Sequence, residues 1–227
     1  MGLTVLFAIS LIFLLWVAKT NKKLYALAKA ISSLLFLLCG LRPVFLGEGK
    51  VTAGYALLLA GLAFCAFGDV FLGLANSVQN KVSKRPFLAG AFSFTAAHVL
   101  FLAMMLIKTP FAWHNLVLPI IMVAVLALLE KKDKIRLKKM RPLAYLYTVV
   151  VSMMAGKAVM MLPGAAPVSG DLALFVTGAV LFFISDVILL FLYFGTNRKK
   201  YFRGFNLVSY YVGVYMMAMS APLFMAG

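Results

Sequence analysis

Apolar residues run along this chain in blocks too long for strands or for the helices of a soluble core, broken at regular intervals by short basic or Gly/Pro-containing stretches. A membrane-crossing helix needs about 20 predominantly apolar residues, and by that measure eight segments qualify, at roughly 2–18, 24–40, 51–75, 87–107, 113–130, 142–163, 171–195 and 204–224. The connections are short, so neighbouring helices pack antiparallel. The pattern predicts an all-α fold, a polytopic membrane bundle of eight transmembrane helices forming a single membrane-embedded domain over residues 1–227.

Polar positions inside the blocks are few, and they stand out. Asp69 lies in Phe67-Gly68-Asp69-Val70-Phe71-Leu72 and Asp186 in the similar Ile184-Ser185-Asp186-Val187-Ile188-Leu189. Lys29, His98 and Lys157 also fall within spans, and Asn206, Tyr210 and Tyr211 open the eighth. A charged side chain at membrane depth costs roughly 2.5–3.5 kcal/mol on insertion scales and normally faces a bundle interior, so each asks for a partner or a function.

Composition agrees with the pattern. Of 227 residues 64% are hydrophobic and only 12% charged, which excludes an ordinary soluble domain. The net charge of +16 would suggest nucleic acid in a soluble protein; here it serves topology instead, and no nucleic-acid partner is expected. Most of the 22 basic residues lie in alternate loops: Lys19, Lys22 and Lys23; Lys81, Lys84 and Arg85; seven from Lys131 to Arg141; and Arg198, Lys199, Lys200 and Arg203. By the positive-inside rule these loops are cytoplasmic and both termini are not. The basic run from Lys131 to Arg141 is accounted for as such an anchor. At about 1.5 Å per residue, Asp69 falls about 9 Å and Asp186 about 14 Å below the cytoplasmic edge.

On the third span Gly61, Cys65, Asp69 and Gly73 recur every four residues as a stripe of small residues that admits a neighbouring helix and turns Asp69 inward. Gly178, Phe182 and Asp186 share a face of the seventh. Both aspartates lie on odd-numbered spans four apart, each followed by a basic loop and an aromatic-to-glycine start (Phe87 to Gly90, Tyr201 to Gly204), which suggests two parallel four-helix repeats. Cys39 and Cys65 form no disulfide or zinc pattern.

Two carboxylates in a dry interior suit proton chemistry, since low dielectric and mutual repulsion favour one protonated and one ionised group. Their structural alternative is neutralisation by Lys29 or Lys157, locking helices together. His98, Tyr210 and Tyr211 have packing readings of equal simplicity. Hydrolysis and proton-coupled transport both remain open on these residues. Serine-lipase, zinc-protease and nucleotide-binding signatures are absent from the sequence.

The motifs in order, Lys29-Ala30-Ile31-Ser32-Ser33-Leu34-Leu35, Phe67 to Leu72, Ala97-His98-Val99-Leu100-Phe101, Met154-Ala155-Gly156-Lys157-Ala158, Gly178 to Asp186 and Tyr210-Tyr211, resemble the YhhN-like lysoplasmalogenases, found in bacteria and as small multi-span proteins in animals. Ala30, Lys157 and Val214 stand where that family often has Pro, Arg and Gln or His. The resemblance implies hydrolysis of the vinyl ether bond of lysoplasmalogens to a fatty aldehyde and glycerophosphoethanolamine or glycerophosphocholine, without metal or organic cofactor, in a bacterial inner membrane or, in a eukaryote, the endoplasmic reticulum. It implies Asp69 and Asp186 as catalytic. Lys29 is then expected to bind phosphate with the basic edge of the cavity, with His98, Lys157, Asn206, Tyr210 and Tyr211 in support. The substrate-bearing partner is a lysophospholipid within membrane lipid; oligomeric state is left open.

Overall fold

The computed structural model describes residues 2–77, 82–162, 167–196 and 202–225. Among them are eight helices long and apolar enough to cross a membrane: α1 (Gly2–Thr20), α2 (Tyr25–Phe45), α3 (Ala53–Ser77), α4 (Lys84–Lys108), α5 (Val117–Lys131), α6 (Arg141–Val159), α7 (Gly170–Phe194) and α8 (Phe202–Met219), followed by a single turn, α9 (Pro222–Met225). A helix satisfies every interior backbone group within its own segment, the form a chain must take where no water is available to bond. The eight predicted spans are present, with ends shifted by a few residues. Lys81, Pro163, Arg198 to Lys200 and Tyr201 lie outside the described residues.

Helix ends follow local chemistry. Gly47 and Gly49, at φ 71° and 76°, make the left-handed turn between α2 and α3 that a side chain would resist. The Ser169 hydroxyl accepts from the Leu172 amide at 3.2 Å to start α7, with Asp171 in its first turn where the helix dipole favours a negative charge.

The two most intimate pairs are α3 with α4 and α7 with α8. Gly178 and Gly213 oppose each other so closely that a Cβ on Gly178 would stand 2.5 Å from the Gly213 carbonyl oxygen, and one on Gly213 would stand 2.7 Å from the Gly178 carbonyl oxygen. Only glycine permits this approach of two backbones. The small-residue stripe on α3 behaves differently from the simple groove expected. Gly61 faces Phe101 of α4, whereas Gly73 faces the Ala26 backbone of α2. Residues four apart advance about 40° past a full turn, so a four-residue stripe winds about 120° over twelve residues and serves two neighbours. Backbones of α3 and α4 also come close at Gly68, whose carbonyl oxygen would lie 3.3 Å from a Cβ on Gly90.

α1 and α5 lie at the periphery. Only Phe7, Ser10, Leu14 and Val17 of α1 and Pro119 and Leu126 of α5 are buried; Ile12, Trp16, Ile120 and Leu128 face outward. The remaining helices enclose the polar interior.

Candidate functional site

Asp69, from the middle of α3, is completely buried. Its Oδ1 lies 2.8 Å from the Lys29 ammonium of α2, while Oδ2 accepts from the Ser33 hydroxyl at 2.6 Å and from the Tyr210 hydroxyl of α8 at 2.8 Å. An ammonium and two hydroxyls aimed at one carboxyl are the set that an anion takes, and such charge-assisted bonds are the strong ones. Ser33 and Lys29 share an α2 face by their four-residue spacing. Tyr211 adds a weaker contact, its hydroxyl 3.5 Å from Ser33 Oγ and 3.4 Å from the Lys29 carbonyl. Lys29 therefore spends its charge on Asp69, and Asp69 ties α2, α3 and α8 together.

Asp186, from α7, is held differently. Its Oδ1 accepts from the Tyr147 hydroxyl of α6 at 3.1 Å, and its Oδ2 stands 3.2 Å from Nε2 of His98 on α4. The other ring nitrogen of His98 lies 2.6 Å from the Phe94 carbonyl. A carbonyl only accepts, so Nδ1 carries a proton and donates it. Nε2 and Oδ2 would then oppose lone pair to lone pair unless one proton lies between them. The pair is either an imidazolium with a carboxylate or a neutral imidazole with a carboxylic acid.

The two aspartates thus take partners in one pattern. Each has a ligand from the preceding helix of its own half, Lys29 from α2 or Tyr147 from α6, and one from the last helix of the other half, Tyr210 from α8 or His98 from α4. Between the centres lies an aromatic layer: the Phe182 ring is 4.5 Å from His98 and 5.1 Å from Tyr210, and Phe94 packs edge-on against both Phe182 and Tyr210.

A cavity of about 300 Å³ opens between α4, α5, α6 and α7. Its lining is apolar except for Tyr147, Thr148, Tyr193 and Asp186, the one charged group there among the described residues. Phe94 lines it as well, but Asp69 does not, being sealed behind Tyr210 and Lys29. An apolar pocket with a few convergent polar groups is the form of a small-molecule site, here with a lining suited to hydrocarbon.

The remaining expected residues fall at different distances from this centre. Asn206 donates from Nδ2 to the Ser185 carbonyl at 2.8 Å and hydroxyl at 2.9 Å, pinning α8 beside Asp186 without touching it. Lys157 donates to the Pro110 carbonyl at 2.7 Å, where α6 meets the α4–α5 connection at the end of the bundle away from the basic loops. It joins neither carboxylate. Tyr147 and Ser33 were missed by sequence reasoning. Tyr147 carries no signal beyond its position four residues before Val151 on the buried side of α6; Ser33 lies within the motif that contains Lys29. Among the described residues no three His, Cys, Asp or Glu side chains group as a metal site would require. Cys39 and Cys65 are free and buried.

Eight membrane-length helices around two buried, separately partnered carboxylates define an integral membrane protein with charged groups in its interior. The sequence profile of the YhhN family matches residues 24–221, which includes every side chain of both centres, and the chain belongs to that family. No curated protein and no solved structure matches it.

Proposed function

We infer that this protein is a membrane hydrolase that cleaves the vinyl ether bond of lysoplasmalogens, releasing a fatty aldehyde and a glycerophospho-alcohol. The observation that carries the reading is the 3.2 Å contact between Asp186 Oδ2 and His98 Nε2 at the wall of a largely apolar cavity.

Vinyl ether hydrolysis begins with protonation of the carbon β to the ether oxygen. The positive charge that develops on the neighbouring carbon is shared with that oxygen, as in glycoside cleavage. Asp186 delivers the proton, and the carboxylate it becomes stabilises the oxocarbenium character. Water then adds at the cationic carbon, losing a proton to the Asp186–His98 pair, and the hemiacetal collapses to aldehyde and alcohol. The sum is one vinyl ether plus one water, with the acid regenerated. Tyr147, donating to Oδ1, fixes the orientation of the carboxyl against His98.

To Asp69 we assign a positioning role. It fixes Tyr210, whose ring packs on Phe182, which in turn packs on His98. Family membership supports the substrate class, and the pattern of partners supports an origin of the bundle in two parallel four-helix repeats. In this reading the basic loops are cytoplasmic and the substrate enters from that leaflet.

The test is direct. Purified protein mixed with a lysoplasmalogen should release fatty aldehyde; Asp186→Asn should abolish release and Asp69→Asn should lower it. Full activity of Asp186→Asn would remove the chemistry proposed.

A further inference from the structure

The α5–α6 connection, residues 132–140, is built more firmly than a topological anchor requires. Positively charged loops set orientation without any fixed conformation, yet this one folds back on the end of α7. The Arg136 amide donates to the Phe194 carbonyl at 2.8 Å, and the Thr196 amide to the Lys134 carbonyl at 3.0 Å, an isolated antiparallel bridge centred on Ile135 and Gly195. Ile135 and Leu137 are driven inward, 1% and 2% exposed, against Leu126, Ala144, Leu190 and Phe191. Asp133 and Lys138 both adopt positive φ, 51° and 49°, a conformation uncommon for residues with side chains.

The loop also borders the cavity. Met140, immediately after Lys138 and Lys139, lines it, and so does Phe87, two residues after Arg85 at the start of α4. The acidic groups nearby are already used: Asp133 pairs with Arg136 at 2.7 Å and Glu130 with Arg141 at 3.0 Å. Lys138 and Lys139 are exposed and have no acidic partner among the described residues. Spacing along α7 sets the scale. Phe194, level with the bridge, lies about 12 Å along the helix from Asp186 at ~1.5 Å per residue. In a lysoplasmalogen five bonds separate the sn-1 oxygen from phosphorus, about 6 Å when extended at ~1.25 Å of advance per bond, and a lysine ammonium reaches about as far from its own Cα.

We propose that the hooked α5–α6 connection is the headgroup site of the cavity, with Lys138 and Lys139 holding the phosphate of a single-chain phospholipid whose hydrocarbon chain occupies the apolar space beside Asp186. The proposal rests on the function inferred above for its substrate, but its test does not depend on turnover. The lysines act through the phosphate, so choline and ethanolamine headgroups are both accepted.

The experiment measures binding of a non-hydrolysable 1-O-alkyl lysophosphocholine, the matching 1-O-alkylglycerol and inorganic phosphate to the full-length protein in neutral detergent, which removes any anionic bilayer. The phosphocholine probe should bind the wild type more tightly than the alkylglycerol, and inorganic phosphate alone should compete poorly, because the chain supplies much of the affinity. K138Q/K139Q should weaken phosphocholine binding about ten-fold, the loss expected for a charge-assisted contact, and leave the alkylglycerol unchanged. Leu137→Ala, which keeps every charge but loosens the hook, should reproduce the loss. Equal affinity of the wild type for the two lipid probes, or unchanged phosphocholine binding by K138Q/K139Q, overturns the proposal. Inorganic phosphate competing as well as the lysolipid overturns it in favour of a free-anion site. If the probes discriminate as expected but no aldehyde is ever released, the headgroup site stands and the hydrolase reading fails.

Discussion

Nε2 of His98 lies 3.2 Å from Oδ2 of Asp186, and the opposite ring nitrogen is committed to the Phe94 carbonyl, so the two side chains hold one proton between them. That pair spans the two halves of the chain, α4 to α7, and it faces the cavity through Asp186. Asp69 is more completely buried, with an ammonium partner, and does not line that cavity. Similar local sequences have therefore produced one carboxyl set against a histidine at a cavity wall and one locked by an ammonium between helices.

His98→Gln removes the ring nitrogen that meets Asp186 Oδ2 and should lower turnover by about 10²–10⁴-fold, the usual range for a lost acid–base group. Aldehyde release by the purified, folded variant checks this; wild-type turnover would show that His98 takes no part in the chemistry.

Tyr147→Phe keeps the ring that lines the cavity and deletes only the hydroxyl that donates to Asp186. Turnover should fall about ten-fold with KM nearly unchanged, as expected when an interaction acts on the transition state rather than on binding. Steady-state kinetics of the purified variant decide it. A rise in KM alone would make Tyr147 a contact for the chain.

Breaking the Asp69–Lys29 pair from either side leaves a buried group without its partner. Lys29→Met, which strands a carboxylate, and Asp69→Leu, which strands an ammonium, should each destabilise by about 3–5 kcal/mol, while the two combined should recover most of that loss. Thermal unfolding in detergent across the three variants measures the coupling. Strictly additive losses would mean that the two groups do not depend on each other.

Gly178→Ala should disrupt the α7–α8 crossing, because its Cβ would meet the Gly213 carbonyl oxygen at 2.5 Å and backbone cannot step aside as a flexible side chain can. The expected cost is about 1–3 kcal/mol or more. Gly204→Ala, where a Cβ would meet nothing within 4 Å, is the control and should unfold like the wild type. Indistinguishable melting of the two variants would contradict the packing.

Eight spans, their short connections and the rarity of charge within them follow from the sequence because a bilayer imposes length and hydropathy on every crossing segment independently of the others. The same constraint made Asp69, Asp186, Lys29 and His98 visible as candidates, since each is costly where it stands. Which of them meet was beyond reach of that reasoning. Lys29 could have served either carboxylate or a phosphate, and Lys157 looked like its equivalent; the relative rotation and tilt of α2, α3, α6 and α8 directs the first to Asp69 and the second to the Pro110 carbonyl. Tyr147 was invisible because a tyrosine in an apolar span costs little and carries no periodic signal. The hook formed by residues 132–140 shows the same limit: a run of lysines reads as charge alone, and only the docking of Ile135 and Leu137 onto α7 turns it into a fixed edge of the cavity. The chain by itself determined which residues enter the membrane; the packing of helices, which brings His98 of α4 to Asp186 of α7, decided which of them meet.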